Sequence, residues 1–513
     1  MSSTSSSSAA SGGPVDGSGA APTALRSLAA LTDGQLVGPH DGTGVTVADV
    51  THDSRAAGPG VLFACRPGAL ADGHDFAPDA VARGTTALLV ERPLDLDVAQ
   101  LQVDSVAARL GAVAAAVQGD PTAELEVVGV TGTNGKTTCA TLLDGVLTAA
   151  GRRTGLIGTV ATRIAGAQVP GVRTTPESTD LQRLFRQMLD ERVTTVAMEV
   201  SSHGLALGRV NGTRFAVAVF TNLTHDHLDF HGTMEAYYAA KARLFTPGFS
   251  RVGVVNVDDP WGRRLAGEAA IPVTTVSLEP EADAEVVATA ITPGPRGSVV
   301  EVVVGGAAHR LQVGLPGRFN VCNALLALAT TRALDVPTAS VFATLGRPWS
   351  VPGRMERVDE GQAFTVLVDY AHTPDSLARV LEATREAAPG RVLVVIGCGG
   401  DRDHQKRPAM GAAAVAGADR AVFTNDNPRG EDPEAILGAV VDGARTVDGG
   451  HWTVEPDRRA AIATVIDEAA TGDAVVIAGK GHESGQELAD RTIPFDDREV
   501  ARELLRATVG DRA

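Results

Sequence analysis

The sequence predicts an α/β protein of about three domains built on largely parallel, doubly wound sheets, and three observations carry that expectation. At 513 residues the chain exceeds what one hydrophobic core holds, since domains run to about 150 residues each. Apolar runs of strand length, such as Val61-Leu62-Phe63-Ala64, alternate with longer helical stretches, the pattern of buried strands covered on both faces. Polar, glycine-rich clusters follow several of these runs directly, and ligands of open α/β sheets bind there, beyond the carboxyl ends of the strands. The composition agrees, because 44% hydrophobic residues with only 4% aromatics leaves Ala, Val and Gly to pack helices closely onto sheets.

Charge and cysteine usage narrow the function classes. A formal charge of −17 argues against a general nucleic-acid surface, which needs clustered Lys and Arg. It does not exclude anionic small molecules if basic residues gather in the sites. No apolar run reaches the roughly 18 residues of a membrane span, and no secretory segment is evident. Cys65, Cys139, Cys322 and Cys398 are scattered, without a C-x-x-C pair, and read as small core residues of a reduced, cytoplasmic protein. A monomer acting on small molecules is expected.

Along the chain, residues 1–22 are Ser, Gly, Ala and Pro with almost nothing to bury, and are expected to be a disordered tail. A small α/β domain follows over 23–123. A central domain over 124–350 opens with a glycine-rich loop and continues through strands near 193–200, 214–221 and 251–257, with a helix over 234–245. A last domain over 351–513 repeats strand and helix, with strands at 364–369, 391–397, 421–424 and 474–478.

The central domain begins with Val127-Val128-Gly129-Val130-Thr131-Gly132-Thr133-Asn134-Gly135-Lys136-Thr137-Thr138, an apolar run feeding a phosphate cradle. Glycines let backbone N–H groups approach phosphate oxygens, Lys136 reaches the β- and γ-phosphates, and the Thr137 hydroxyl suits Mg²⁺. ATP is the expected ligand. The usual G-x-x-x-x-G-K-[ST] pattern would place glycine where Val130 stands, and the extra glycine is instead Gly132, inside the loop.

Other polar clusters allow more than one reading. Glu199 and His227 fall at strand ends of the same domain and suit Mg²⁺ beside ATP, although His225, His227 and His231 also read as an ordinary polar loop. Lys241, on the helix over 234–245, reads by itself as a solvated lysine. The turn Gly397-Cys398-Gly399-Gly400-Asp401-Arg402 imitates a dinucleotide fingerprint but carries Arg402 at the third glycine position, so a carboxylate or phosphate contact suits it better than NAD. In Asp426-Asn427-Pro428-Arg429, acceptors for an ammonium stand beside a guanidinium donor for a carboxylate, which suits a zwitterionic amino-acid group; the same residues also make an ordinary Asn-Pro turn.

Taken together, these motifs resemble the Mur ligase family, ATP-dependent amide-forming enzymes of peptidoglycan precursor synthesis, across essentially everything after the Ser-rich tail. The resemblance rests on Thr131 to Thr138, Met198-Glu199-Val200-Ser201-Ser202-His203, Thr221-Asn222-Leu223 with Asp226-His227-Leu228-Asp229, Asn320-Val321-Cys322-Asn323-Ala324, Gly353-Arg354-Met355-Glu356 and Asp369-Tyr370-Ala371-His372-Thr373-Pro374, in the family order. It implies three domains: a small N-terminal UDP-binding α/β domain, a central P-loop ATPase-type sheet and a C-terminal Rossmann-like doubly wound domain that binds an amino acid.

By the same resemblance Gly132, Thr133, Asn134, Gly135, Lys136, Thr137, Thr138, Asn320, Arg354, Asp369 and His372 hold ATP, with Lys136, Glu199, His227, Lys241, Arg354 and Asp369 as the catalytic set. Lys241 matches a lysine carbamylated in the family, a Mg²⁺ ligand alongside Thr137, Glu199 and His227. Ser54, in Asp53-Ser54-Arg55, with Thr174, Thr175, Ser201 and Arg209, would touch a UDP-muramoyl dipeptide. Asp426, Asn427, Pro428 and Arg429 match the family's meso-diaminopimelate motif, with Arg402, Gly479 and Glu483 completing that pocket. The implied reaction adds meso-diaminopimelate to the D-Glu of UDP-MurNAc-L-Ala-D-Glu through an acyl phosphate. An L-lysine-adding member or a folylpolyglutamate-type ligase is the competing expectation.

Overall fold

The structure, a computed structural model, describes residues 20–39, 42–68, 71–171, 173–294 and 296–512; the expected tail lies outside them up to residue 19. Packing divides the chain into two units. The first takes in the described residues up to Leu125 with Pro176–Thr194 and Ala206–Arg214, and the second comprises Glu126–Thr175, Thr195–Leu205 and everything from Phe215.

In the first unit a five-stranded sheet runs in the order Gln35–Val37, Ala99–Gln102, Ala87–Val90, Val61–Ala64, Asp49–Thr51, parallel except for its first pair. Leu25 and Leu28 from the helix Leu25–Thr32, and Leu110 and Val113 from Val106–Val117, cover Leu62, Leu89 and Leu101. The helix Ser178–Asp190 joins the same unit through Arg183, whose Nε lies 2.9 Å from both oxygens of Asp49. Gly111 is a glycine of necessity, since a Cβ there would collide with the Asn211 carbonyl.

The second unit holds two large sheets. Strand Glu126–Thr131 lies inside an eleven-stranded sheet between Thr195–Glu199 and Phe215–Phe220, parallel to both. Parallel pairing continues outward through Ser250–Asn256 and Val273–Ser277 to Val286–Gly294, then turns antiparallel through Gly297–Val304 and Ala307–Val313. Helices Lys136–Ala149 and Arg318–Ala333 bury Leu143, Leu147, Leu325 and Leu328 with Val128, Val130 and Val217 of the sheet.

The second sheet runs Glu356–Val358, Thr365–Asp369, Ala474–Ala478, Val392–Ile396, Arg420–Phe423, Trp452–Val454, parallel after its first pair. Its central strand shows why it is doubly wound: Val392, Val394 and Ile396 enter one core with helices Pro374–Ala387 and Lys406–Gly417, while Leu393 and Val395 enter another with Arg458–Glu468. Alternating side chains face opposite sides of a strand, so both faces must be covered. Among the described residues, no helix is long and apolar enough to cross a membrane.

One ion pair in this second sheet is fully buried. Arg458 Nε and Nη2 donate to Asp497 at 2.8 and 2.7 Å, both side chains having no exposed surface, and Nη2 also donates to the Ala478 carbonyl at 2.9 Å. Removing one partner of such a pair strands a charge, which costs about 3–5 kcal/mol. Asp497→Ala should therefore lower the unfolding free energy by an amount of that order. A urea titration of the purified protein checks this, and a loss below about 1 kcal/mol would contradict the assignment.

Candidate functional site

The strand Glu126–Thr131 ends in the loop that the sequence marks as a phosphate cradle. Gly132 has φ +144° and a Cβ there would collide with the Thr221 hydroxyl, while Gly135 has φ +88° and a Cβ would meet Asn323 Oδ1 at 2.5 Å. Both positions thus need glycine on two counts. The loop is braced from the neighbouring strand: Thr133 N donates to Asn222 O at 2.9 Å, Asn134 N to Asn222 Oδ1 at 3.0 Å, and the Thr221 hydroxyl to Asn134 O at 2.6 Å. Helix Lys136–Ala149 starts there, with Thr137 and Thr138 buried in its first turn.

Two lysines turn onto the loop's carbonyls. Lys136 Nζ donates to Gly132 O at 3.0 Å and Thr133 O at 2.8 Å, and Lys241 Nζ donates to the same Gly132 O at 2.8 Å. Lys241 is 1% exposed and stands over the Tyr237 ring at 4.6 Å, which corrects the reading of it as a solvated helix lysine. Its helix, Met234–Ala242, buries Tyr237, Tyr238 and Ala240 as well, and its last turn, Arg243–Phe245, tightens to 3₁₀. Burial pushes the Lys241 ammonium well below the ordinary lysine range, and Lys136 adds to the shift. Burial likewise lowers Lys136, against the attraction of Glu199.

Glu199 ends the strand Thr195–Glu199 and is 2% exposed. Its Oε2 accepts from the Thr137 hydroxyl at 3.0 Å and from the Thr159 hydroxyl at 3.1 Å, and Oε1 accepts from Thr159 N at 2.7 Å. The Thr159 hydroxyl also lies 3.0 Å from that of Thr174, and the Thr175 hydroxyl donates to the Glu199 carbonyl at 3.0 Å and to Ser201 Oγ at 3.1 Å. Thus Thr174, Thr175 and Ser201 are all tied to the carboxylate's surroundings. His227 has φ +55°, and its Nε2 is 3.5 Å from Asp226 Oδ2. Burial outweighs that neighbour and holds His227 down at about 3.

The second sheet contributes from the carboxyl end of Thr365–Asp369. Arg354 stacks on Tyr370 at 4.5 Å and its Nη2 donates to the Thr137 hydroxyl at 3.2 Å. Asp369 accepts from Met355 N and Ala371 N, both at 2.7 Å; burial raises its pKa against the pull of Arg354. His372 Nε2 lies 3.8 Å from Asp226 Oδ2, with burial taking it down to about 4. A cleft of about 710 Å³ is lined by these groups, among them Thr133 to Thr138, Glu199, His227, Lys241, Arg354, Asp369 and His372. Asn320 does not line it; Asn323 does, and Asn320 accepts from Asn323 Nδ2 at 3.3 Å and donates to Pro316 O at 2.7 Å.

Neighbouring strands of the same sheet place a second cluster at their carboxyl ends. Gly399 lies against the Arg429 guanidinium, a Cβ there coming within 3.0 Å of Arg429 Nη1, and the aliphatic stem of Arg402 passes the same glycine, with its Cγ at 3.9 Å. Asn427 Nδ2 donates to Glu483 Oε2 at 2.8 Å, and at Gly479, φ +107°, a Cβ would stand 2.6 Å from Asp426 Oδ2. Pro428 precedes Arg429, which itself takes φ +51°. Beneath the cluster lies Lys480, fully buried, donating to Asn427 Oδ1 at 2.9 Å, Gly485 O at 2.7 Å and Glu483 Oε2 at 3.2 Å. The motifs give no role to Lys480, Asp226 and Tyr370, which fall in or beside them, and Thr159 lies outside every motif; only the hydrogen bonds and ring contacts of the folded chain mark these four.

Ser54 and Arg209 belong to the first unit. Ser54 opens the single turn Ser54–Ala56, capped by Asp53, and Arg209 pairs with Glu177 at 2.8 Å, which also takes Arg66 at 3.1 Å. Among the described residues no three His, Cys, Asp or Glu side chains converge as a self-sufficient metal site. All four cysteines are free and buried.

Three family models match the chain: "Mur ligase family, catalytic domain" over residues 46–133, "Mur ligase middle domain" over 130–331, and "Mur ligase, glutamate ligase domain" over 353–481. A protein of Streptomyces coelicolor named UDP-N-acetylmuramoyl-L-alanyl-D-glutamate--2,6-diaminopimelate ligase is 47% identical over 493 residues, 94% of this chain and 97% of its own. A solved structure of a protein with that name, 32% identical, aligns with a TM-score of 0.67 over 92% of this chain and 97% of the other. The fold is shared more widely, by a Mycobacterium tuberculosis folylpolyglutamate synthase with ADP and AMPPCP, at 22% identity and a TM-score of 0.59 over 78% and 94% of the two chains. With family models spanning all three parts and near full-length identity of this degree, the chain belongs to the Mur ligase family and has its three-domain α/β architecture.

Proposed function

We propose that the chain is an ATP-dependent ligase that joins an amine of meso-2,6-diaminopimelate to the D-Glu of UDP-MurNAc-L-Ala-D-Glu, giving the UDP-MurNAc-tripeptide of peptidoglycan synthesis with ADP and phosphate. The observation that carries the amine's identity is the convergence of the Arg429 guanidinium, against Gly399, with Asp426, Asn427 and Glu483, the stem of Arg402 passing the same glycine. Guanidiniums receive a carboxylate, and the acidic and amide oxygens receive an ammonium. Diaminopimelate carries both groups at the end remote from the reacting amine, and lysine lacks that second carboxylate. Ser54, Thr174, Thr175, Ser201 and Arg209 are assigned to the UDP-muramoyl dipeptide, and 23–123, 124–350 and 351–513 to the three domains.

In this reading ATP lies along the loop from Gly132 to Thr138. Lys136 exchanges its two carbonyl acceptors for β- and γ-phosphate oxygens, and Arg354 exchanges the Thr137 hydroxyl for the transferring phosphoryl group. The D-Glu γ-carboxylate attacks the γ-phosphorus and ADP leaves. The neutral amine then attacks the acyl-phosphate carbonyl, and expulsion of phosphate with loss of a proton completes the amide. Tyr370 holds Arg354 by its ring face, and Asp369 fixes the backbone on both sides of that pair.

Mg²⁺ fits the donors present. The Thr137 hydroxyl and Glu199 carboxylate are adjoining hard oxygen ligands at 3.0 Å, His227 lines the same cleft, and phosphate oxygens and water complete such sites. Thr137, Glu199, His227 and a carbamate on Lys241 would hold the ion, which when bound neutralises phosphate charge. The lowered pKa of Lys241 supports its modification, since CO₂ adds to the neutral amine, forming the N–C bond with loss of a proton.

ADP release is expected with meso-diaminopimelate and not at comparable rate with L-lysine. Arg429→Ala should raise KM for diaminopimelate by about ten- to a hundredfold, the weight of a charge-assisted contact, and leave KM for ATP unchanged. Equal use of lysine, or an unchanged KM, would overturn the specificity. Lys241→Ala should lose nearly all turnover, and ¹³C-bicarbonate should give the parent protein a carbamate resonance that the variant lacks. Acidification tests the histidines. His231, His372 and His482 sit at about 4 and His227 at about 3, so below pH 6.5 the unfolded chain takes up protons that the folded one refuses. The histidine contribution to stability should be full above about pH 7 and be lost progressively toward pH 4 in thermal unfolding of the nucleotide-free protein.

A further inference from the structure

The hairpin Gly485–Glu487 with Thr492–Pro494 lies along the Asp426 to Arg429 segment and is bonded to it residue by residue. Gln486 Nε2 donates to Asp426 O at 2.7 Å, Glu487 N to Asn427 Oδ1 at 3.0 Å, and Arg429 N to Glu487 O at 3.1 Å. These contacts place the Glu487 side chain against Arg429, with Nε donating to Oε2 at 2.5 Å. Arg429 has a second anchor, Nη1 to the Gly400 carbonyl at 2.9 Å. A guanidinium offers a carboxylate its Nε and Nη2 edge as one fork, and Glu487 stands on that edge. Arg402, whose stem passes Gly399, donates through Nη1 to the Asp401 carbonyl at 3.1 Å.

We propose that Glu487 occupies the Nε donor of Arg429 until a ligand's own carboxylate displaces it, so that this competition sets the affinity of the pocket for diaminopimelate. The inference rests on the diaminopimelate reading and deepens it. Two features make Glu487 a competitor rather than a brace. Arg429 is already oriented by the Gly400 carbonyl, by its own N–H on the Glu487 carbonyl and by its φ of +51°, none of which uses the Glu487 carboxylate. The pair is also open to solvent, with the Glu487 side chain 49% exposed and that of Arg429 21%, so exchanging one carboxylate for another is cheap. A ligand with a bare ammonium at that end has nothing to displace Glu487 with.

Glu487→Gln tests this in the full-length enzyme by steady-state kinetics. The substitution keeps both backbone bonds of residue 487 and removes only the charge. KM for meso-diaminopimelate should fall about two- to fivefold, the range of an exposed ion pair, with kcat and KM for ATP unchanged and no gain for L-lysine. Combined with Arg429→Ala, Glu487→Gln should have no effect on KM, because the fork it guards is gone. An unchanged or raised KM in the single variant, or a fall that persists without Arg429, overturns the proposal. Failure of Arg429→Ala to raise KM would instead overturn the reading of the pocket itself, so the two failures are distinct.

Discussion

One carbonyl oxygen, that of Gly132, accepts from two buried lysines, Lys136 at 3.0 Å and Lys241 at 2.8 Å. Two buried lysines on one neutral acceptor cannot both hold a charge cheaply in a low-dielectric site, and burial lowers both pKa values, Lys241 well below the ordinary lysine range. The arrangement persists because the loop is held from elsewhere: Thr221 and Asn222 brace it, and Gly132 fits where no Cβ does. Lys136 is thereby held where the helix Lys136–Ala149 also presents its N-terminal N–H groups. An overall acidic chain keeps an anion-seeking point because packing pins Lys136 beside that helix end, and the cleft is arranged around it.

Much of this was legible in the sequence for a physical reason. Parallel strands buried on both faces read as continuous apolar runs, and the strands at 195–199, 215–220, 365–369, 392–396 and 474–478 fall within a residue or two of the expected bounds. The polar residues that follow them are conspicuous because nothing else interrupts the pattern. Less legible were the antiparallel strands Gly297–Val304 and Ala307–Val313, and the edge pair Thr162–Ile164 with Ala167–Val169, whose partners are fixed by register rather than by composition. Lys241, read from its helix alone, misled for a related reason. That helix buries Tyr237, Tyr238, Ala240 and Lys241, which span more than one face, so helical periodicity has no single apolar stripe on which a lysine would look out of place. The hairpin bearing Glu487 is short and polar, and pattern alone gives it neither a strand nor a partner.

The second sheet puts its chemistry at adjacent carboxyl ends. Thr365–Asp369, Ala474–Ala478, Val392–Ile396 and Arg420–Phe423 are consecutive in the sheet, so the segments that follow them lie side by side although they are far apart in sequence. Four glycines make the approach close enough: Gly397 against Asp426, Gly399 against Arg429, Gly400 against Pro428 and Gly479 against Asp426. Any side chain at these positions would separate turns whose polar groups must converge. Buried cations hold the turns from below, Lys480 through Asn427 and Glu483, and Arg458 through the Ala478 carbonyl.

The cleft at the phosphate loop and the cluster around Arg429 are mechanically joined through the segment around Arg354. Gly353 has φ +65° and packs so tightly on Gly481 and His482 that a Cβ would collide with the His482 N–H, and Tyr370 N donates to Gly353 O at 2.9 Å. Arg354 follows at once, stacked on Tyr370 and bonded to Thr137, and Met355 N is held by Asp369. Gly481 in turn follows Lys480 and precedes Glu483 by two residues, inside the amino-acid cluster. A displacement of the 480–483 turn is therefore passed to the guanidinium at the phosphate loop through one glycine–glycine contact and one stacked ring. Close packing transmits such shifts because there is no void to absorb them. Order in the reaction, phosphoryl transfer before amine attack, has in this contact a route by which the occupant of one site bears on the geometry of the other.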